Sequence, residues 1–515
     1  MATKAVGTPE HANEASAGSM EFKTFRADDR GSLELVIAFS GPVGSGVSTV
    51  CDQLSNLLIS EFGYETKYIK VSDIIRDHAH EIGMNLSDVN SPTERVDQYQ
   101  SAGNKLRNKK ISYLADRVIE TINLFRRDSG GVLVQENAPD IAVRKRIVYI
   151  VDSLKNPAEV KRLRQIYGDL FWHISVFAPE NIREKRLVDG AIDQNSVKYI
   201  MNRDEYEGPK NGQQVSKTAH LADYFIRNHT DVVDNVKPAI KRFLDVIFGT
   251  KLHTPTHDET GMMKAASAAT KSACMSRQVG ASIYNKSHEL IGVGWNDVPR
   301  SGGGLYSSDL EESDDKRCYK WGGKICHNDA RKHKLATSIA KSLTSDGSNE
   351  SGVRDIVAKV SGSDARNLIE FSRSVHAEME AIVSVARIGK GSTVESTLYT
   401  TTFPCHNCAR HIVAAGITRV VFIEPYSKSL ALDLHWDSIT LTDEPRKVHF
   451  IQYEGFAPRA SMRVFSSLGR ERKDDAGKFI EKGRRDAEPL FLHPLDSYMS
   501  SEELVIQELT QLQEG

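Results

Sequence analysis

Two short motifs hold residue types that can bind a transition metal and one that can move a proton: His376-Ala377-Glu378, and Pro404-Cys405-His406-Asn407-Cys408. One imidazole and two thiolates bind zinc while leaving a fourth tetrahedral position to water, and a water held there loses its proton near neutral pH. The predicted ligands are His376, Cys405 and Cys408. Glu378 stands two residues past the histidine, where a carboxylate clears the metal yet stays beside its water. It can therefore take a proton and pass it to a ring nitrogen and a departing amine. The spacing of the cysteines sets both sulfurs on the first turn of a helix that Pro404 can start, where orphan N–H groups and the helix dipole favour thiolate. Two other chemistries use such a pair. A dithiol redox centre needs no upstream His-Ala-Glu, and a closed structural zinc would require His406, which lies awkwardly between the thiols.

The elements that must position these residues are legible nearby. Apolar spacing predicts a helix over 377–386, an extended segment over 397–402, a helix over 409–415 and an extended segment over 419–423. That is a βαβ-type run with its chemistry at helix starts. The signature resembles the cytidine/deoxycytidylate deaminase superfamily, and within it the deoxycytidylate deaminases. Upstream, Arg277-Gln278-Val279-Gly280-Ala281 followed by Gly292-Val293-Gly294-Trp295-Asn296-Asp297-Val298-Pro299 is similar to the paired opening strands of that branch, although Trp295 and Asp297 depart from its usual Gly-Tyr-Asn-Gly run. The resemblance implies hydrolytic deamination of a cytosine nucleotide, with Zn2+ as cofactor and Asn296 on the sugar-phosphate side of the pocket. An ordinary turn after a strand is the plainer reading of Asn296. Past the second motif, Glu424-Pro425-Tyr426-Ser427-Lys428 ends a strand where superfamily members place substrate contacts, so Tyr426 is expected to stack on the base and Lys428 to meet phosphate. A loop lysine is otherwise simply solvated.

The first half carries a different motif. Leu35-Val36-Ile37-Ala38-Phe39 reads as a buried strand, and the loop Gly41-Pro42-Val43-Gly44-Ser45-Gly46-Val47-Ser48-Thr49 leads into an amphipathic helix. Strand, glycine loop and helix is the layout of a phosphate-binding P-loop, with Gly41, Gly44, Gly46, Ser48 and Thr49 as its candidate residues. Val47 stands where the phosphate-reaching lysine belongs. The cradle and the Ser48 hydroxyl suit phosphate or Mg2+, but the cation for phosphoryl transfer is missing, so binding without transfer, or a purely structural loop, is expected. Strands are also predicted at 132–134, ending at Gln135-Glu136, and at 174–177, with Arg183, Lys185 and Arg186 beyond. Ala222 to Asn228 resembles the closing strand of nucleotide and dephospho-coenzyme A kinases. Lys105, Arg107, Lys109 and Lys110 read as a solvated helix face in preference to a dedicated polyanion site.

The predicted fold is α/β throughout: a P-loop kinase-like αβα domain, then a cytidine-deaminase-like αβα sandwich with a mixed sheet. The expected boundaries are a polar tail over 1–30, the kinase-like domain over 31–248, a linker over 249–260 and the deaminase-like domain over 261–515, with an insertion at 300–365. That insertion holds Cys318, Cys326, His327 and His333, ligand types for a second, structural zinc of the kind some deoxycytidylate deaminases have, or else free thiols and surface histidines. The stretch 502–512 has helical apolar spacing suited to docking on a neighbour.

Composition narrows the function classes. With 39% hydrophobic and 26% charged residues the chain reads as globular, and a net charge of −2 gives no global attraction to a polyanion. Six irregularly placed cysteines do not form a secreted disulfide framework, no apolar run reaches membrane-spanning length, and a reducing cytoplasm is expected. The fused architecture resembles bacterial antiviral deoxycytidine nucleotide deaminases. This implies dCMP or dCTP as substrate, depletion of that pool during phage infection, a homo-oligomer, often a hexamer, a nucleotide effector at the P-loop, and an inhibitory small RNA as one form of control. Two alternatives are a polynucleotide cytidine deaminase, which needs a basic groove and aromatic platforms, and a non-enzymatic nucleotide sensor.

Overall fold

The apolar run at 35–39 becomes strand β1 (Leu35–Ser40), buried along its whole length, as a parallel strand covered on both faces must be. In this computed structural model, which describes residues 30–514 apart from 88–90, 134–140, 231–232, 345–349, 390, 427–428, 443 and 468–470, the chain builds two six-stranded sheets. The first takes β1, β2 (Glu65–Lys70), β3 (Ile147–Asp152), β4 (Phe171–Phe177) and β5 (Tyr224–Arg227) in the order β2-β3-β1-β4-β5, all parallel. The strand expected at 132–134 lies outside it: Val132–Leu133 pairs antiparallel with Ile141–Ala142 as a separate two-stranded piece, and Val134, Gln135 and Glu136 are outside the described residues.

The second sheet takes β6 (Gly280–Tyr284), β7 (Leu290–Trp295), β8 (Thr397–Thr402), β9 (Arg419–Glu424), β10 (Ile439–Thr440) and β11 (Val448–Gln452) in the order β7-β6-β8-β9-β11-β10. The β6–β7 pair is antiparallel, β6 also runs antiparallel to β8, and β8, β9, β11 and β10 are mutually parallel, so the sheet is mixed. Two glycines let helices touch its backbone. A Cβ on Gly280 would lie 2.0 Å from the Ala265 carbonyl oxygen in the helix His257–Ala269, and one on Gly294 would lie 2.2 Å from the Ala377 carbonyl oxygen in the helix Ala377–Ile388. Only glycine permits such an approach inside a strand.

The C-terminal residues do not stay with the second sheet, which corrects the division at 261–515. Strand β12 (Gly455–Phe456) pairs antiparallel with β5 and completes the first sheet. Phe456 enters an aromatic cluster with Tyr224, Phe243 and Trp172, and the helix Leu495–Glu514 buries Leu495, Tyr498, Val505 and Leu509 in the first core. The apolar stripe expected to dock on a neighbour therefore docks on the same chain. The second unit is an insertion between β5 with its following helix Lys237–Phe248 and β12. Within it, the stretch at 300–365 supplies two mutually packed helices, His327–Leu343 and Glu350–Gly362. The basic cluster at 105–110 is also more than a solvated face. Arg107 is buried on Glu159 at 2.8 Å, Lys109 pairs with Glu81 at 2.7 Å, and Lys110 pairs with Asp116 at 2.8 Å.

Candidate active site

His376 is the N-cap of the helix Ala377–Ile388, and Cys405 is the N-cap of the helix His406–Ala414, which starts three residues before the predicted 409 because the Cys405 sulfur accepts from the Cys408 N–H at 3.5 Å. The parallel strands β8 and β9 set the second helix start beside the first. His376 Nδ1 lies 3.3 Å from both sulfurs, and the three ligand atoms lie within 4.8 Å of one another. Tetrahedral zinc with bonds of about 2.05 Å to nitrogen and about 2.3 Å to sulfur needs N···S edges of about 3.5 Å, so the donor set and its spacing fit that ion. Among the described residues this is the one His/Cys/Asp/Glu group gathered closely enough to hold a metal.

Glu378 is buried beside the cluster. One carboxylate oxygen accepts from the Cys408 thiol at 3.4 Å and the other from Thr400 Oγ1 at 3.4 Å. Burial, then the nearby Cys405 sulfur, pushes its carboxyl above the ordinary range. The hydrogen bond from Cys408, and then His376, pull the Cys405 thiol down, so the pair carries its negative charge there. These groups open into a cavity of about 450 Å³ that is also lined by Arg277, Asn296, Asp297 and Tyr426.

The other predicted residues divide. Asn296 borders the cavity, but its amide is occupied by backbone: Oδ1 accepts from the Val279 N–H at 2.7 Å and Nδ2 donates to the Arg277 carbonyl at 2.8 Å. Asp297 accepts from the N–H groups of Ala273 and Val298 at 2.9 and 2.8 Å, so it holds the turn after β7. Tyr426 reaches the cavity with the Arg277 guanidinium 5.6 Å from its ring centre. Lys428 is outside the described residues. The second zinc set does not assemble. Cys318 sits 3.9 Å from Arg373, Cys326 3.6 Å from Ser276, and His327 against Trp321, while the exposed His333 is six residues along the same helix and so about 120° round it from His327. Arg277, Glu424 and Thr400 emerge as site residues to which sequence reading gave no role. Their partners come from elements distant in the chain and leave no local spacing to read.

In the first unit, Gly41, Gly44 and Gly46 lie in the loop between β1 and the helix Val47–Leu57, with Gly44 and Gly46 at φ +81° and +80°, and Ser48 and Thr49 lie in the first turn of that helix. Ser48 Oγ donates to Asp152 at 2.8 Å, at the end of β3. The Val43 N–H, however, is taken by the chain's own Asp204 carboxylate at 2.7 Å, and Lys155 bridges Asp204 and the Gly41 carbonyl.

A mixed sheet with a His/Cys/Cys set at two helix starts and a buried carboxylate beside it defines a hydrolytic deaminase type of centre. The model of the cytidine and deoxycytidylate deaminase zinc-binding region matches residues 255–424. The deoxycytidylate deaminase of Enterobacteria phage T4 is 30% identical over 170 residues, 33% of this chain and 77% of the phage protein. That of Saccharomyces cerevisiae is 24% identical over 264 residues, 50% of this chain and 68% of the yeast protein. A protein of Archaeoglobus fulgidus described as UPF0200/UPF0201 is 23% identical over 264 residues, 50% of this chain and 71% of its own length. The chain belongs to the cytidine and deoxycytidylate deaminase family. None of its helices is long and apolar enough to cross a membrane, among the described residues.

Proposed function

We propose that the chain is a zinc-dependent deaminase of deoxycytidine nucleotides, with His376, Cys405 and Cys408 as ligands and Glu378 as the proton carrier. The observation that carries this is the buried Glu378 carboxylate held against the three-ligand cluster at the head of a cavity. Zinc in that set supplies Lewis acidity that brings a bound water's pKa toward 7. Burial against the ligand cluster, with Thr400 Oγ1 3.4 Å from one of its oxygens, keeps the Glu378 carboxylate facing the reacting atoms. Glu378 takes the water proton, delivers it to N3 of the cytosine ring as the C4–O bond forms, and then carries the proton of the new C4 hydroxyl to the exocyclic amine as the C4–N bond breaks, leaving the C4 carbonyl and ammonia. Tyr426 offers a ring face at the cavity wall for the base.

A single nucleotide suits the site better than a polymer. The cavity falls within the usual range for small-molecule pockets, and the chain has no excess of positive charge. In the first unit, the Ser48–Asp152 contact has the form of a hydroxyl and carboxylate that share a magnesium ion, which supports a nucleotide effector there without phosphoryl transfer. The same reading extends to depletion of the deoxycytidine nucleotide pool in phage defence. It is tested with purified protein on dCMP, dCTP, CMP, CTP and cytosine-containing single-stranded DNA. The expected result is turnover of a deoxynucleotide and a fall in kcat of about 10²–10⁴-fold in Glu378→Gln with zinc content unchanged. Full activity in that variant would refute the role of Glu378, and conversion of the DNA alone would refute the substrate class.

A further inference from the structure

The first unit reaches into the cavity wall of the second. His220 lies in the turn after the helix Val215–Ala219, and that turn is fixed by the Leu221 N–H on the Thr218 carbonyl at 3.0 Å and by Arg164 on the Leu221 carbonyl at 3.0 Å. Its Nδ1 pairs with Oε1 of Glu424, the last residue of β9. The other oxygen of Glu424 accepts from Thr402 Oγ1 at 3.1 Å and meets Arg277 Nη1 at 3.3 Å. Arg277 is held at its backbone by Asn296, lies over Tyr426, and lines the cavity together with His376 and Glu378. A guanidinium carries five N–H donors, and Glu424 is the one protein acceptor that Arg277 meets among the described residues. Its side chain is half exposed, and it stands where an anionic group of the ligand can be met.

We propose that Arg277 is the cation that binds the phosphate of the nucleotide substrate, and that His220, from the first unit, is a positioning residue that sets how much of that cation is available. This rests on the deaminase reading above. The chemistry is a competition for one carboxylate. With Oε1 of Glu424 engaged by His220 and Oε2 shared with Thr402, Arg277 has a single contact to one oxygen. With His220 gone, Glu424 is free to turn both oxygens onto the guanidinium in the bidentate geometry that arginine and carboxylate favour, and this draws Arg277 away from an incoming phosphate. The first unit then contributes to substrate affinity directly, with no ligand of its own.

The test uses the full-length protein loaded with zinc, on whichever of dCMP and dCTP the wild type converts, with the affinity of the matching uracil nucleotide measured by calorimetry. Arg277→Ala is expected to raise KM by about 10- to 100-fold, the range for losing a charge-assisted contact. His220→Ala is expected to raise it by about 3- to 10-fold with kcat within about twofold, and to weaken the uracil nucleotide in parallel. His220→Gln, which keeps a donor for Glu424, recovers part of the loss. The double variant is no worse than Arg277→Ala, because His220 acts only through Arg277. A His220→Ala protein with wild-type KM, or losses that multiply in the double variant, overturns the proposal. If His220→Ala does not fold, Glu424→Gln decides instead: freeing Arg277 from its carboxylate must lower KM, and a raised or unchanged KM overturns the proposal. A wild type inactive on every nucleotide sinks the deaminase reading, whereas an active wild type matched by His220→Ala sinks the clamp alone.

Discussion

Arg126 is a buried cation in the core of the first unit, and the structure predicts an ordering among its variants. Its guanidinium is buried between two buried carboxylates, with Nε 3.0 Å from Glu34 Oε1, Nη2 2.9 Å from Glu34 Oε2, and Nη2 3.1 Å from Glu502 Oε1. Two anions and one cation leave one surplus negative charge. Burial, only partly offset by Arg126, accordingly raises the Glu502 carboxyl above its ordinary value. Arg126→Met strands both carboxylates in the core. Breaking a buried pair by removing one partner costs about 3–5 kcal/mol, and two stranded anions put this variant at or above the top of that range. Glu502→Gln keeps the shape and removes the surplus charge, so its lost charge-assisted bonds are offset, and it should lie within about 1 kcal/mol of wild type. With a urea slope of about 3 kcal/mol/M, Arg126→Met unfolds at least about 1.7 M earlier and Glu502→Gln within about 0.3 M of wild type. Tryptophan fluorescence reports this through Trp172, which is buried in the same core. The pH dependence has a definite sign. A raised folded-state pKa gives stability that is present below about pH 4.3 and lost as pH rises through the folded value, so Glu502→Gln should gain on wild type between that pH and neutrality. Equal midpoints for the two variants at pH 7, or a Glu502→Gln deficit that widens with pH, would refute the reasoning.

Other outcomes follow from the same contacts. A zinc chelator should abolish turnover and lower the melting temperature of the second unit, with both restored by Zn2+ and neither affected by Mg2+; activity that survives complete zinc removal rules the metal out. Gly294→Ala puts a methyl 2.2 Å from a backbone oxygen of the helix that carries His376 and Glu378, so it should cost about 1–3 kcal/mol and reduce activity, while Gly362→Ala, with nothing within 4 Å, should be neutral; equal effects would contradict the close-approach argument. Burial in the first core brings His173 down to about 3 from 6.5. Below pH 6.5 the unfolded chain takes a proton that the folded chain refuses, so stability falls by about 1.4 kcal/mol per pH unit down to about pH 3, and His173→Gln should remove that one-proton slope; an unchanged slope would place the titration elsewhere.

What could be read from the sequence was what is local. Strand, glycine loop and helix around Gly41–Thr49, and the alternation of helix and strand from Ala377 to Glu424, are set by neighbours within a few residues, and both appear as elements close to their predicted bounds. Pro404 and the spacing of the two cysteines mark the helix start beside Cys405, although apolar periodicity alone begins only at Ala409 because the first turn carries ligands in place of core residues. Asn296 follows a strand in a family-like run, which points to the ligand, whereas its amide is matched to the backbone of Arg277 and Val279 in the segment that leads into β6. Strand β12 is two residues long and pairs with a strand 230 positions earlier, Gly455 against Phe225, so no periodicity could announce it. The cysteines and histidines of the insertion had the right types and no spacing, and spacing is what separates a metal site from scattered ligand residues.

The return of the C-terminal segment explains how a surface histidine of one unit can matter to the cavity of the other. A linker fixed at one end only would leave the His220–Glu424 contact to form and break at a cost in orientational freedom. Here the chain crosses between units twice, and both crossings are fastened to one carboxylate. Glu259, at the start of the second unit, accepts from Arg242 of the first at 2.7 Å and from the Phe456 N–H of the returning strand at 2.9 Å. Beside it, the Arg227 N–H donates to Glu454 at 2.8 Å and the Ala457 N–H to the Asp223 carbonyl at 2.8 Å. With both ends tied, the turn that carries His220 and the end of β9 are held together before any contact between them forms. The pair therefore spends little of its interaction energy on alignment, and what it has left acts on Arg277.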